Sequence, residues 1–126
     1  MTGTVKWFSR EKGYGFIIGE DGNEVFVHQT DINMKGFRSL HEDDRVSYEI
    51  GEGNNGRTQA VNVKPLLTMK MIESALKKEG LYVKDTENTL GNRGYMVVNL
   101  DNVIQTSADG MSFAELAEYA GITEKA

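Results

Sequence analysis

Two short runs hold the residues best suited to chemistry. In Tyr14-Gly15-Phe16-Ile17-Ile18, strand alternation puts Tyr14, Phe16 and Ile18 on one face and Gly15 and Ile17 on the other. In Glu24-Val25-Phe26-Val27-His28, Phe26 and His28 share a face opposite Val25 and Val27. If Ile17, Val25 and Val27 point inward, then Tyr14, Phe16, Phe26 and His28 stand together on the outside. Clustered aromatic rings are costly in water unless something covers them. Nucleic-acid bases fit that role, because every base has a π-face. Lys12 lies beside the patch and Lys6 precedes Trp7; both can meet phosphates without reading sequence. Strict alternation separates Lys6 from Trp7, so contact by both requires a bulge or a strong twist. Ordinary core packing is the rival account of Trp7, Tyr14, Phe16 and Phe26, and the strand phase opposes it. For Phe8 the two accounts are evenly balanced.

Other chemistries find little support. His28 has no nucleophile or carboxylate partner at a telling spacing, so a stacking or hydrogen-bonding role suits it better than general-base catalysis. No catalytic set is expected. The absence of cysteine removes thiolate catalysis, disulfides and cysteine-based metal sites. With only His28 and His41 as imidazoles, neither a metal nor any other cofactor is expected. Gly13-Tyr14-Gly15-Phe16-Ile17-Ile18-Gly19 has the wrong spacing for a dinucleotide fingerprint, and its glycines lie within a strand rather than opening a helix.

The elements that position these residues change character near Pro65, the single proline. Before it come five β-type runs: Val5–Phe8, Tyr14–Ile18, Glu24–His28, Arg45–Ile50 and Thr58–Val63. Asp21-Gly22 marks a hairpin and Asn54-Asn55-Gly56 another turn. Five short strands in so small a unit predict a closed barrel, which hides its edges. After Pro65 the pattern reads α-β-β-α. A helix over Thr68–Glu79 carries Met69, Ile72 and Leu76 on one face and stops at Gly80. Strands follow at Leu81–Lys84 and Tyr95–Leu100, with a turn at Asn92-Arg93-Gly94. Ser112-Phe113-Ala114-Glu115 fits a capping box opening a helix from Phe113 to Ala120, closed by Gly121. The expected organisation is a barrel over residues 1–66 and a small α+β domain over 67–126.

The 126 residues carry a net charge of −5, which at first sight discourages a nucleic-acid partner. Split by half, residues 1–66 hold 8 basic and 10 acidic side chains and residues 67–126 hold 6 and 9. Binding by the barrel therefore has to be led by stacking rather than by counterion release. No apolar run reaches a membrane-spanning length and the N-terminus has no apolar signal region, so a cytoplasmic protein is expected. A domain of about 60 residues is only marginally able to bury its own core. Residues 67–126 are therefore read as a docking or homodimerisation module, and in the alternative reading they carry the specific role while the barrel is a scaffold.

Lys12-Gly13-Tyr14-Gly15-Phe16-Ile17 resembles the first RNA-binding motif of the cold-shock domain family, and Val25-Phe26-Val27-His28 resembles the second. Gly3-Thr4-Val5-Lys6-Trp7-Phe8, Gly36-Phe37-Arg38-Ser39-Leu40 and Gln59-Ala60-Val61-Asn62-Val63 match in order and spacing. The resemblance covers residues 1–66. It implies a five-stranded oligonucleotide-binding (OB-fold) barrel that binds single-stranded RNA or DNA, in the manner of an RNA chaperone. It puts Lys6, Trp7, Lys12, Tyr14, Phe16, Phe26, His28 and Phe37 at nucleic-acid-binding positions, with Phe8 at their margin. Arg57, in the turn before the last strand, adds a cation near the groove. Gln29 stands where many bacterial members have Phe, replacing a stacking platform by an amide able to hydrogen-bond a base edge. No family is recognised in residues 67–126.

Overall fold

The computed structural model describes residues 1–33, 38–53, 56–87, 91, 93–106 and 109–124. The chain divides into two compact units, Met1–Met69 (with Glu124) and Lys70–Thr123.

The first unit is a closed barrel. Its strands are β1 (Thr2–Ser9), β2 (Tyr14–Gly19), β3 (Glu24–His28), β4 (Arg45–Glu52) and β5 (Thr58–Leu67), with neighbours in the order β1-β2-β3-β5-β4. Antiparallel β1–β4 pairing, Thr2↔Ser47 to Thr4↔Arg45, closes the ring, and β3 and β5 pair in parallel. Val5, Ile17, Val27, Ile32, Leu40, Val46, Tyr48, Ala60 and Val63 form the core, with Phe8 and Val25 packed against it. The inward phase expected for Ile17 and Val27 is therefore observed, while Val25 remains half-buried.

Each strand except β3 is longer than its sequence run. β5 continues through Pro65 to Leu67 because the partner strand accommodates it: the β4–β5 register shifts between Arg45 and Val46, opposite Leu67 and Pro65. An irregular pairing tolerates a residue that has no N–H to donate. A second shift, between Ser47 and Glu49, leaves Asn62 at φ +51°. Asparagine is among the few side chains that accept that region.

Polar groups of Asp44, Tyr48 and Thr68 are enclosed in this unit. The Asp44 carboxylate is buried and accepts hydrogen bonds from the backbone amides of Met69 (2.7 Å) and His41 (2.9 Å). Burial outweighs those two bonds and raises its pKa to about 6. The Tyr48 hydroxyl is buried with no hydrogen-bond partner among the described residues. Burial is the first cause of its raised pKa, followed by the charges of Asp21 and Glu20.

The second unit contains most of α1 (Met69–Lys77), the antiparallel pair β6 (Tyr82–Glu87) and β7 (Arg93–Val98), and α2 (Phe113–Ala120). Met69, Ile72 and Leu76 are buried, as their helical spacing requires. α1 is shorter than the expected Thr68–Glu79, and Gly80 follows it at φ +73°. β7 differs from its expected span at both ends. Arg93 and Gly94 belong to the strand, opposite Glu87 and Thr86, whereas Asn99 and Leu100 leave it. Gly94 fits there because Met111 pairs with Tyr95 from the other side, and a Cβ on Gly94 would lie 3.1 Å from the Met111 carbonyl oxygen. α2 has the expected limits, with the reciprocal Ser112–Glu115 capping box at one end and left-handed Gly121 at the other. Phe113, Leu116 and Ala117 are buried, and Phe113 meets Tyr95 edge-on. Among the described residues no helix is long and apolar enough to cross a membrane.

Candidate nucleic-acid interface

The outer face of β1–β3 is built by register. Tyr14 pairs with His28, and Phe16 with Phe26. On the other side Val5 pairs with Ile17 and Trp7 with Phe16, so Lys6 is an extra residue between them. This bulge resolves the phase conflict in the sequence: Lys6 and Trp7 both face outward, while Val5 before them is buried. Close approach of the strands requires glycine at position 15, where a Cβ would lie 2.2 Å from the Trp7 carbonyl oxygen.

Four rings then meet in one patch. Trp7 lies 5.4 Å from Phe16 and 5.9 Å from Tyr14, centroid to centroid. Phe26 lies 5.6 Å from Tyr14 and 5.8 Å from Phe16. These are edge and tilted contacts, which hold the rings in place while leaving area to stack upon. Trp7 remains 39% exposed. The Arg57 guanidinium sits 5.6 Å from the Phe26 centroid, a cation–π arrangement.

His28 is held by its own neighbour. Its Nδ1 accepts the Thr30 amide at 3.2 Å and lies 2.9 Å from the Thr30 hydroxyl. An accepting Nδ1 leaves the proton of the neutral ring on Nε2, as a donor. Lys6 forms an exposed ion pair with Glu24 at 2.5 Å. Such pairs contribute little and yield to a stronger anion. Lys12 is exposed at the turn where its amide meets Ser9 Oγ. Phe8 is half-buried against the barrel core, apart from the four rings. Gln29 packs its side chain over Gly13, and its backbone amide donates to the Gly13 carbonyl at 2.8 Å. Phe37 lies outside the described residues.

The sequence reading missed a groove of about 400 Å³ next to this patch. Phe26 and His28 line it together with Asp31 and Gln59, which supply polar groups. Gln59 belongs to the last strand and to a family-matching segment but was not among the expected binding residues; the parallel Phe26↔Gln59 pairing that brings it here has no signature in local spacing. Among the described residues, no group of three or more His, Cys, Asp and Glu side chains is arranged to hold a metal ion.

A model of the "Cold-shock" DNA-binding domain family matches residues 1–66. Cold shock protein CspB of Geobacillus stearothermophilus is 58% identical over 64 residues, covering 51% of this chain and 96% of that protein. Cold shock protein 2 of Lactiplantibacillus plantarum is 52% identical over 63 residues, 50% of this chain and 94% of that protein. Glycine-rich protein 2 of Nicotiana sylvestris is 56% identical over 62 residues, 48% of this chain but only 29% of that protein. The chain thus spans nearly the full length of the two bacterial relatives and under a third of the plant one. No family model matches the C-terminal half.

Proposed function

Because the chain belongs to the cold-shock DNA-binding domain family through residues 1–66, we propose that it binds single-stranded RNA or DNA by stacking bases on the barrel's aromatic face. The observation that carries this reading is the mutual contact of Trp7, Tyr14, Phe16 and Phe26 on the outside of β1–β3. Lys6, Lys12 and Arg57 meet phosphates, His28 adds a stacking surface and a donor, and Phe37 keeps the binding role that the family resemblance implies. Phe8 supports it from the core side. A base stacked on the protein cannot pair with another base, so transient binding holds RNA open, which is an RNA-chaperone activity.

Titration with a pyrimidine-rich oligonucleotide, followed by Trp7 fluorescence, tests this. Phe16→Ala and Phe26→Ala should each weaken binding by about 1–3 kcal/mol while the fold persists. Unchanged affinity in both variants would remove the stacking face.

One feature of the second unit favours an additional role. Leu100, Val103 and Ile104 are 75%, 55% and 43% exposed. Apolar side chains clustered in sequence and left in water mark a contact surface. In this reading residues 67–126 form a protein-interaction or homodimerisation module beside a nucleic-acid-binding barrel.

A further inference from the structure

The groove beside Phe26 contains more chemistry than stacking requires. Its lining includes Phe26 and His28, whose imidazole is oriented by Thr30. Polar groups line it too. The Gln59 amide donates to the Asp31 carboxylate at 2.5 Å, and Asp31 is half-buried in the 3-10 turn that follows β3. The end of the Gln59 side chain lies over Gly53, where a Cβ would come within 2.0 Å of its Oε1. Asp31 is thus an oriented acceptor rather than a solvated surface charge. Glu52 adds a second carboxylate at the exposed rim. The volume, about 400 Å³, is within the range of clefts that hold small ligands.

A groove lined by an aromatic ring, an imidazole and carboxylates suits a flat ligand with a donor edge. It repels phosphate, so the sugar–phosphate chain has to stay outside, near Arg57. The four bases differ in what they bring to a carboxylate. Guanine offers N1–H and N2–H2 side by side, two parallel donors that fit one carboxylate. Cytosine and adenine offer one amine next to an acceptor nitrogen. Uracil offers one N–H between two carbonyls, which a carboxylate repels. Base discrimination by such side-chain contacts is a general device.

We infer that this groove is a guanine-selecting subsite in which Asp31, positioned by Gln59, accepts from the guanine Watson–Crick edge while the base stacks against Phe26 and His28. The inference rests on the stacking function proposed above and adds a sequence preference to it.

The test uses the full chain with seven RNA hexamers: all-uridine, and six with a single guanosine at successive positions. Wild type should bind at least one guanosine hexamer about tenfold or more tighter than the all-uridine strand. Inosine at that position, which lacks N2–H2, should lose most of the gain. Asp31→Asn should abolish the preference while all-uridine affinity holds or rises, with circular dichroism confirming the fold. Equal affinity across the seven strands, or a preference that survives in Asp31→Asn, would overturn the inference. Failure of the stacking face gives a different result: no hexamer binds, or Phe16→Ala leaves every affinity unchanged.

Discussion

Asp44 shows how a single side chain couples the barrel's interior to pH. Its folded pKa, about 6, lies above the ordinary carboxylate value of 3.8, so the folded chain holds this proton more tightly than the unfolded chain. Its contribution to stability is therefore fully present below about pH 3.8 and is lost as pH rises through about 6. The shift corresponds to roughly 3 kcal/mol across that window. Urea unfolding at pH 4.5 and 7.5 checks this: the wild type should gain stability relative to Asp44→Asn at the lower pH. A wild-type minus variant difference that is flat with pH would show that burial does not govern this carboxyl. Nothing in the local sequence His41-Glu42-Asp43-Asp44 distinguishes Asp44 from its exposed neighbour Glu42, because burial is decided by where Met69 returns to the barrel. Tyr14, Phe16 and Phe26 were legible for the opposite reason: their placement follows from alternation within a strand, whereas Trp7 faces outward only through the bulge at Lys6. Asp31 and Gln59 were not, because they meet through a pairing across 28 residues.

The elements show the same division between local and distant causes. α2 was readable to its ends, since the Ser112–Glu115 box and Gly121 are local stop signals. β5 was read short because proline normally ends a strand, and only the irregular pairing with β4 lets it continue. β7 was read two residues too late, since Arg93-Gly94 has turn composition but lies opposite β6. The bulge at Lys6 was required by the positions of Lys6 and Trp7, yet its presence had to come from the pairing itself. The β1–β2 approach gives a prediction at this scale. A Cβ at Gly15 would meet backbone atoms of Trp7 and Phe8, which cannot rotate away. Gly15→Ala should therefore destabilise the barrel by about 1–3 kcal/mol or more, as overpacking does. It should also move Trp7, so its emission maximum should shift in the absence of ligand. An unaltered urea midpoint with unshifted emission would contradict the close approach.

For the molecule as a whole, the net charge of −5 has a narrow meaning. It disfavours tight binding to duplex, whose recognition is dominated by phosphate, but it does not weaken stacking. With about three cations on phosphates, affinity for a single strand should fall with salt at a logarithmic slope of only about −2. A slope steeper than about −5 would mean that charge, not stacking, leads. The second unit offers an independent test. Light scattering of the full chain and of Leu100→Lys should separate an association surface from a merely exposed loop. If residues 67–126 mediate dimerisation, the wild type should rise toward twice the monomer mass with concentration and the variant should not. A monomer at every concentration removes the homodimer.

The parallel β3–β5 pairing has a consequence for the order in which the protein becomes competent. β1 to β3 leave the ribosome first and carry all four rings, but Arg57 and Gln59 arrive some thirty residues after Phe26, and the ring closes only when β4 meets β1. A nascent chain halted before β5 exposes the aromatic residues without the cation over Phe26 or the amide beside Asp31. Complete ligand binding therefore reports complete synthesis of the barrel. The same coupling runs in reverse by mass action: a strand present at a hundred times its dissociation constant adds about 2.7 kcal/mol to the folded state. A nucleic-acid strand that binds only the folded barrel thus adds to the barrel's stability, to an extent set by its concentration relative to its dissociation constant.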